Sequence, residues 1–77
     1  MEKFKDVIAG NTPVLVDFYA TWCQPCRAMH PVLEEVKKTL GDKIRIIKID
    51  IDRYQAVAEE YRIQSVPTLL LFRNGEM

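Results

Sequence analysis

Cysteine is nearly absent from this chain: 77 residues contain only Cys23 and Cys26, too few for a fold built on disulfides. Net charge is absent as well, since eleven basic and eleven acidic side chains cancel along the sequence. No basic field is available to hold nucleic acid or an anionic membrane surface. Long apolar runs are also missing. None approaches the ~20 residues of a membrane helix, and the opening Met1-Glu-Lys-Phe-Lys-Asp6 has no apolar core of the kind that secretory signals carry. A cytoplasmic protein is the expectation. Histidine is limited to His30. Zinc takes about four ligands, so a closed site would need a second chain or carboxylates, and no metal is expected. The length corresponds to one small domain, residues 1–77, near the lower limit for an independent core.

The segments alternate in type without repeats, low-complexity tracts or linkers, which is the pattern of α/β proteins. Phe4, Val7 and Ile8 recur at helical spacing in a short opening helix, which Gly10 and Asn11 end before Pro13. Val14 to Tyr19 is nearly continuously apolar, as in a strand buried on both faces at the centre of a sheet. From Gln24 to about Leu40 the pattern is helical, with Met29, Val32, Leu33, Val36 and Leu40 on one stripe and Gly41 as the stop. Pro31 inside that helix removes one backbone hydrogen bond and should bend it. Ile44 to Ile51 gives a β-branched strand, parallel to the first by the crossover rule. A shorter helix over about Tyr54 to Tyr61 and an apolar strand, Thr68 to Phe72, follow. Tyr54, Tyr61 and the isoleucine-rich strand are expected in the core. Asn74-Gly75 is a strong hairpin signal, because both turn positions favour positive φ, yet the sequence runs only two residues further.

The two thiols lie in Trp22-Cys23-Gln24-Pro25-Cys26, where strand gives way to helix. In mid-helix, side chains three apart have Cβ atoms about 5 to 6 Å apart, whereas a disulfide needs roughly 3.5 to 4.5 Å. The pair therefore belongs at a helix start, where Pro25 is also tolerated. Unpaired N–H groups and the helix dipole there favour a thiolate. This makes Cys23 the expected nucleophile and Cys26, one turn inward, the resolving thiol. A pair of metal ligands or two inert core cysteines are the competing readings. Asp17 is an acid within an apolar strand, costly to bury unless paired or protonated; the alternative is an Asp that reaches solvent at the strand's end. His30, four residues after Cys26 on the same helical face, is a possible base or ligand, although a partly exposed helical histidine is the more frequent case.

Three motifs in order resemble the thioredoxin family: Val14-Leu-Val-Asp-Phe-Tyr-Ala-Thr-Trp-Cys-Gln-Pro-Cys26, Lys48-Ile-Asp-Ile-Asp52, and Val66-Pro-Thr-Leu-Leu-Leu-Phe-Arg-Asn-Gly75. The resemblance covers nearly the whole chain. It implies an α/β fold with a central mixed sheet flanked by helices, in which a βαβ unit is followed by a helix and a strand. It also implies a general protein-disulfide reductase with no bound cofactor. Its substrates would be protein disulfides, and its electrons would come from NADPH through thioredoxin reductase. Thioredoxin is itself a standing example of a lowered CxxC thiol pKa. By the same resemblance, Asp17 matches a buried acid beneath the cysteines that helps Cys26 lose its proton. Lys48 matches that acid's basic partner, although it reads equally as an exposed strand lysine. Val66-Pro67 matches a cis peptide facing the cysteines, whose backbone pairs with an extended substrate; the bland alternative is a trans proline that starts a strand. Trp22 matches a surface tryptophan beside the nucleophile, where it would contact substrate with Gln24 and Pro25; otherwise it is plain core.

Two departures stand out. Gln24 replaces the glycine most common between the cysteines, which is expected to alter the reduction potential. The resemblance also implies a final antiparallel strand and a helix after Asn74-Gly75. The expectation is a chain truncated at its C-terminus, with Thr68 to Phe72 as an unpaired edge open to association. A disulfide oxidase or isomerase, and a non-catalytic binding module of the same fold, are the alternative functions.

Overall fold

A computed structural model describes residues 3–77. The elements run α1 (Phe4–Ile8), β1 (Val14–Tyr19), α2 (Gln24–Leu40), a 3-10 turn (Gly41–Lys43), β2 (Arg45–Asp50), α3 (Gln55–Glu60) and β3 (Thr68–Phe72). The sheet order is β2-β1-β3. β1 is parallel to β2, with Asp17 opposite Lys48, and antiparallel to β3, with Asp17 opposite Leu69. The apolar run of β1 thus occupies the centre of a mixed sheet, and the other two strands are its edges among the described residues.

Alternation along β1 sorts its side chains onto two faces. Val14, Val16 and Phe18 join Ile8 and Phe72 in a buried cluster. Phe4 and Val7 of α1, Val57 of α3 and the neighbouring Tyr61 pack against it. Phe4, Tyr61 and Phe72 meet edge to face, with ring centroids 5.3 to 5.8 Å apart, a preferred aromatic arrangement. The opposite face carries Leu15, Asp17 and Tyr19 and is covered by α2, whose Cys26 and Leu33 are buried.

α2 continues unbroken through Pro31. It ends where Gly41 takes φ 54°, a conformation that glycine adopts without a Cβ penalty. Lys37 Nζ donates to the Gly41 and Ile44 carbonyl oxygens at 2.9 and 2.8 Å, satisfying acceptors where the helix leads into β2.

Several expectations need correction. Tyr54 and Ile46 are half-buried and outside the core cluster; Tyr61, Ile47, Ile49 and Ile51 are half-buried but pack against it, and Ile44 is buried. β2 is an edge strand, so only one flank of each side chain meets a neighbouring strand. In the α2 stripe, Leu33 is buried but Val32 and Leu40 are exposed, because the stripe is wider than the sheet beneath it. The Asn74-Gly75 turn does form: both residues have positive φ, and Arg73 bridges Glu76. Its outer amides are taken up by α1's end, Asn74 N–H donating to Gly10 O and Gly75 N–H to Ile8 O, each at 2.9 Å.

Candidate active site

The end of β1 leads through Ala20 and a two-residue turn directly into α2. Cys23 sits at the helix N-cap with extended backbone, and Pro25 lies in the first turn, where its missing N–H is no loss. Cys23 and Cys26 are joined in a disulfide, their Cα atoms 5.3 Å apart. The Cys26 N–H donates to Cys23 Sγ at 3.1 Å. Sulfur thus takes the capping place usually filled by a serine or aspartate oxygen, and a thiolate there would receive the same N–H.

Cys26 is fully buried and Cys23 is nearly so, at 4% exposed, which makes Cys23 the outer of the two. Gln24 and Pro25 are exposed beside it. Trp22 is 67% exposed, which excludes the core reading, and its indole N–H donates to Asp52 Oδ2 at 3.0 Å. The Val66–Pro67 peptide is cis, and Val66 packs against the cluster of Ala20, Cys23 and Cys26 together with Tyr19 and Ile51. The β1–α2 junction, the segment after β2 and the segment before β3 therefore converge on the disulfide.

Asp17 is completely buried, and neither carboxylate oxygen has a hydrogen-bond partner. Burial raises its pKa above the ordinary 3.8, and the nearby charges of His30 and Lys48 offset this in part. The reading in which Asp17 reaches solvent is excluded. Its nearest ionisable partner is His30, whose Nε2 lies 3.5 Å from Asp17 Oδ2. Lys48 stands opposite Asp17 in the register but is exposed and closes no ion pair with it. On an edge strand its long stem can carry the ammonium to water. From sequence, no contact between His30 and Asp17 is foreseen; the expectation of a partly exposed helical histidine fits the 28% side-chain exposure. The one sequence signal that could have found the contact is the four-residue step from Cys26, which places His30 on the face of α2 that carries the buried cysteine.

Among the described residues no group of three or more His, Cys, Asp or Glu side chains is placed to hold a metal ion. Among the same described residues no helix is long and apolar enough to cross a membrane.

The thioredoxin family model matches residues 1–77. The chain belongs to the thioredoxin family. A thioredoxin-like protein of Synechocystis is 54% identical over 75 residues, covering 96% of this chain and 71% of that one. The chloroplastic thioredoxin Y1 of Arabidopsis thaliana is 49% identical over 76 residues; the match covers 97% of this chain but only 44% of the relative. Among solved thioredoxins, mitochondrial thioredoxin 3 of Saccharomyces cerevisiae in its oxidised form superposes with a TM-score of 0.88 at 36% identity, over 95% of this chain and 68% of that one. The Malassezia sympodialis thioredoxin gives 0.89 at 42% identity, over 95% and 66%. The chain thus spans between less than half and about seven-tenths of these relatives. Family membership and the Cys23–Cys26 disulfide make this a thiol–disulfide oxidoreductase site.

Proposed function

We propose that the protein is a general protein-disulfide reductase that cycles between the Cys23/Cys26 dithiol and disulfide. The observation that carries this reading is a disulfide capping the N-terminus of α2, with Cys23 as its outer and Cys26 as its fully buried inner member. Cys23 thiolate attacks a substrate disulfide, and the first substrate sulfur leaves as a thiolate. Cys26 then attacks Cys23 Sγ, closing the intramolecular disulfide and releasing the second substrate sulfur. Two electrons and two protons pass from the dithiol to the substrate.

In this reading Asp17 accepts the Cys26 proton, and the positive charge of Lys48 favours the ionised carboxylate that takes it. Trp22, Gln24, Pro25 and the Val66–Pro67 backbone form the surface on which an extended substrate segment lies. The cycle needs no bound cofactor. Thioredoxin reductase, drawing on NADPH, returns the disulfide to the dithiol, and the reducing cytoplasm is the fitting compartment. Gln24 brings bulk without charge to the turn between the cysteines and sets a potential distinct from that of a glycine at this place.

Reduction of insulin disulfides, with and without thioredoxin reductase, tests the reading. Cys23→Ser should abolish turnover, and Cys26→Ser should accumulate a mixed disulfide through Cys23. An equilibrium with glutathione as oxidising as that of DsbA-type proteins would sink the reductase reading.

A further inference from the structure

The Asp17–His30 contact is built from two side chains that lack partners. Both Asp17 oxygens and His30 Nε2 are buried without a hydrogen bond, and 3.5 Å separates Nε2 from Oδ2. A hydrogen bond between them needs a closure of only a few tenths of an ångström. The histidine side chain is nevertheless 28% exposed, whereas that of Asp17 is at 0%. One ring therefore spans the distance from a sealed carboxylate to solvent. Tyr19, two residues along the same face of β1, meets the imidazole edge to face at 5.4 Å and holds it in place.

The other charged groups leave this route without a rival. On β2, Lys48 is a cation that stands in the neighbouring register position and forms no ion pair with Asp17. β3 presents Leu69 there, which carries no proton. On α2, the Arg27 guanidinium is engaged with Thr21 O at 2.7 Å, and Glu34, one turn beyond His30, is exposed.

We propose that His30 is the proton exit of Asp17: a positioning residue that returns to solvent the proton taken from Cys26 while the mixed disulfide is resolved. This rests on the reductase reading above. Cys26 Sγ–H gives its proton to the Asp17 carboxylate, and the Cys26 thiolate attacks Cys23 Sγ. The Cys23–Cys26 bond forms, the bond from Cys23 to the substrate sulfur breaks, and that sulfur leaves with the electron pair and is protonated from water. Neutral Asp17 then passes its proton to His30 Nε2, and the imidazolium releases a proton to solvent.

The test is the reaction of the reduced protein with the aryl disulfide dithiobis(nitrobenzoic acid), which releases one coloured thiolate on attack and a second on resolution. His30→Gln keeps the bulk of the side chain without an ionisable ring. It should slow the second release about 10-fold near neutral pH, leave the first release unchanged and remove the imidazole limb from the pH profile. Added imidazole should restore part of the rate in His30→Ala. Carboxyl-carbon NMR should show Asp17 titrating higher in His30→Gln than in wild type, because a compensating positive charge is lost. An unchanged second phase with an unchanged Asp17 titration, in a wild type that releases both thiolates, overturns the proton exit alone. A wild type that releases only the first thiolate overturns the reductase reading, and the proton exit with it.

Discussion

The two faces of β1 do opposite work. Toward α1 and α3 it presents Val14, Val16 and Phe18, all at most 1% exposed and surrounded by apolar and aromatic side chains. Toward α2 it presents Leu15, Asp17 and Tyr19, with an acid that has no hydrogen bond, a histidine beside it and a disulfide at the strand's end. One face holds the sheet together by burying area. The other accepts a buried carboxyl group without a hydrogen bond, an arrangement that costs stability. Strand alternation lets six consecutive residues serve both purposes, and Ile51, which packs against both clusters, is where the two surroundings meet.

The sharpest way to break this comparison is to empty the packed face. Phe18→Ala should cost about 3 to 5 kcal/mol, much of the ~5 to 15 kcal/mol typical of a small domain, as read from denaturant midpoints. An equal loss from a substitution on the α2 face would erase the distinction.

Asp17→Asn should move stability in the other direction. Because burial raises the folded pKa of Asp17, its neutral form suits the fold. Its contribution is fully present below the unfolded value and is lost as pH rises through the folded one. Wild type should therefore fall behind the Asn variant at neutral pH, by about 1 to 3 kcal/mol for a buried unsatisfied group, and the gap should close below about pH 3.8. The same variant should resolve mixed disulfides more slowly. Urea titrations across pH read the first effect and the thiolate-release assay the second.

Val32→Ser, on the exposed part of α2, should shift stability by no more than about 0.5 kcal/mol. A larger loss in thermal unfolding would mean that the apolar stripe is covered in solution.

Much of the fold could be read from the sequence because the relevant signals are local. The apolar run of β1, the glycine stop of α2 and the paired positive-φ residues of the turn each depend on neighbours within a few positions. The disulfide was equally legible, since its two sulfurs lie three residues apart and only a helix start suits them. The Asp17–His30 contact depends instead on how far α2 is rotated over the sheet, which no single segment encodes. Periodicity marked His30 as sharing a face with Cys26, but not what that face would meet. The half-burial of Ile46, Ile47 and Ile49 on β2 has a related cause: composition cannot distinguish an edge strand from a central one.

The bonds from Asn74 and Gly75 to the carbonyls of Gly10 and Ile8 tie together segments some 65 positions apart in the chain. Opening at one segment must therefore register at the other, which makes α1 and the end of β3 a single cooperative unit. Amide hydrogen exchange at Asn74 and Gly75 should accordingly accelerate when α1 is loosened by Ile8→Ala, although the substituted side chain belongs to the opposite end of the sequence. Five residues of helix then act as a clasp on the sheet, and the slowest-exchanging amides of the turn report its closure.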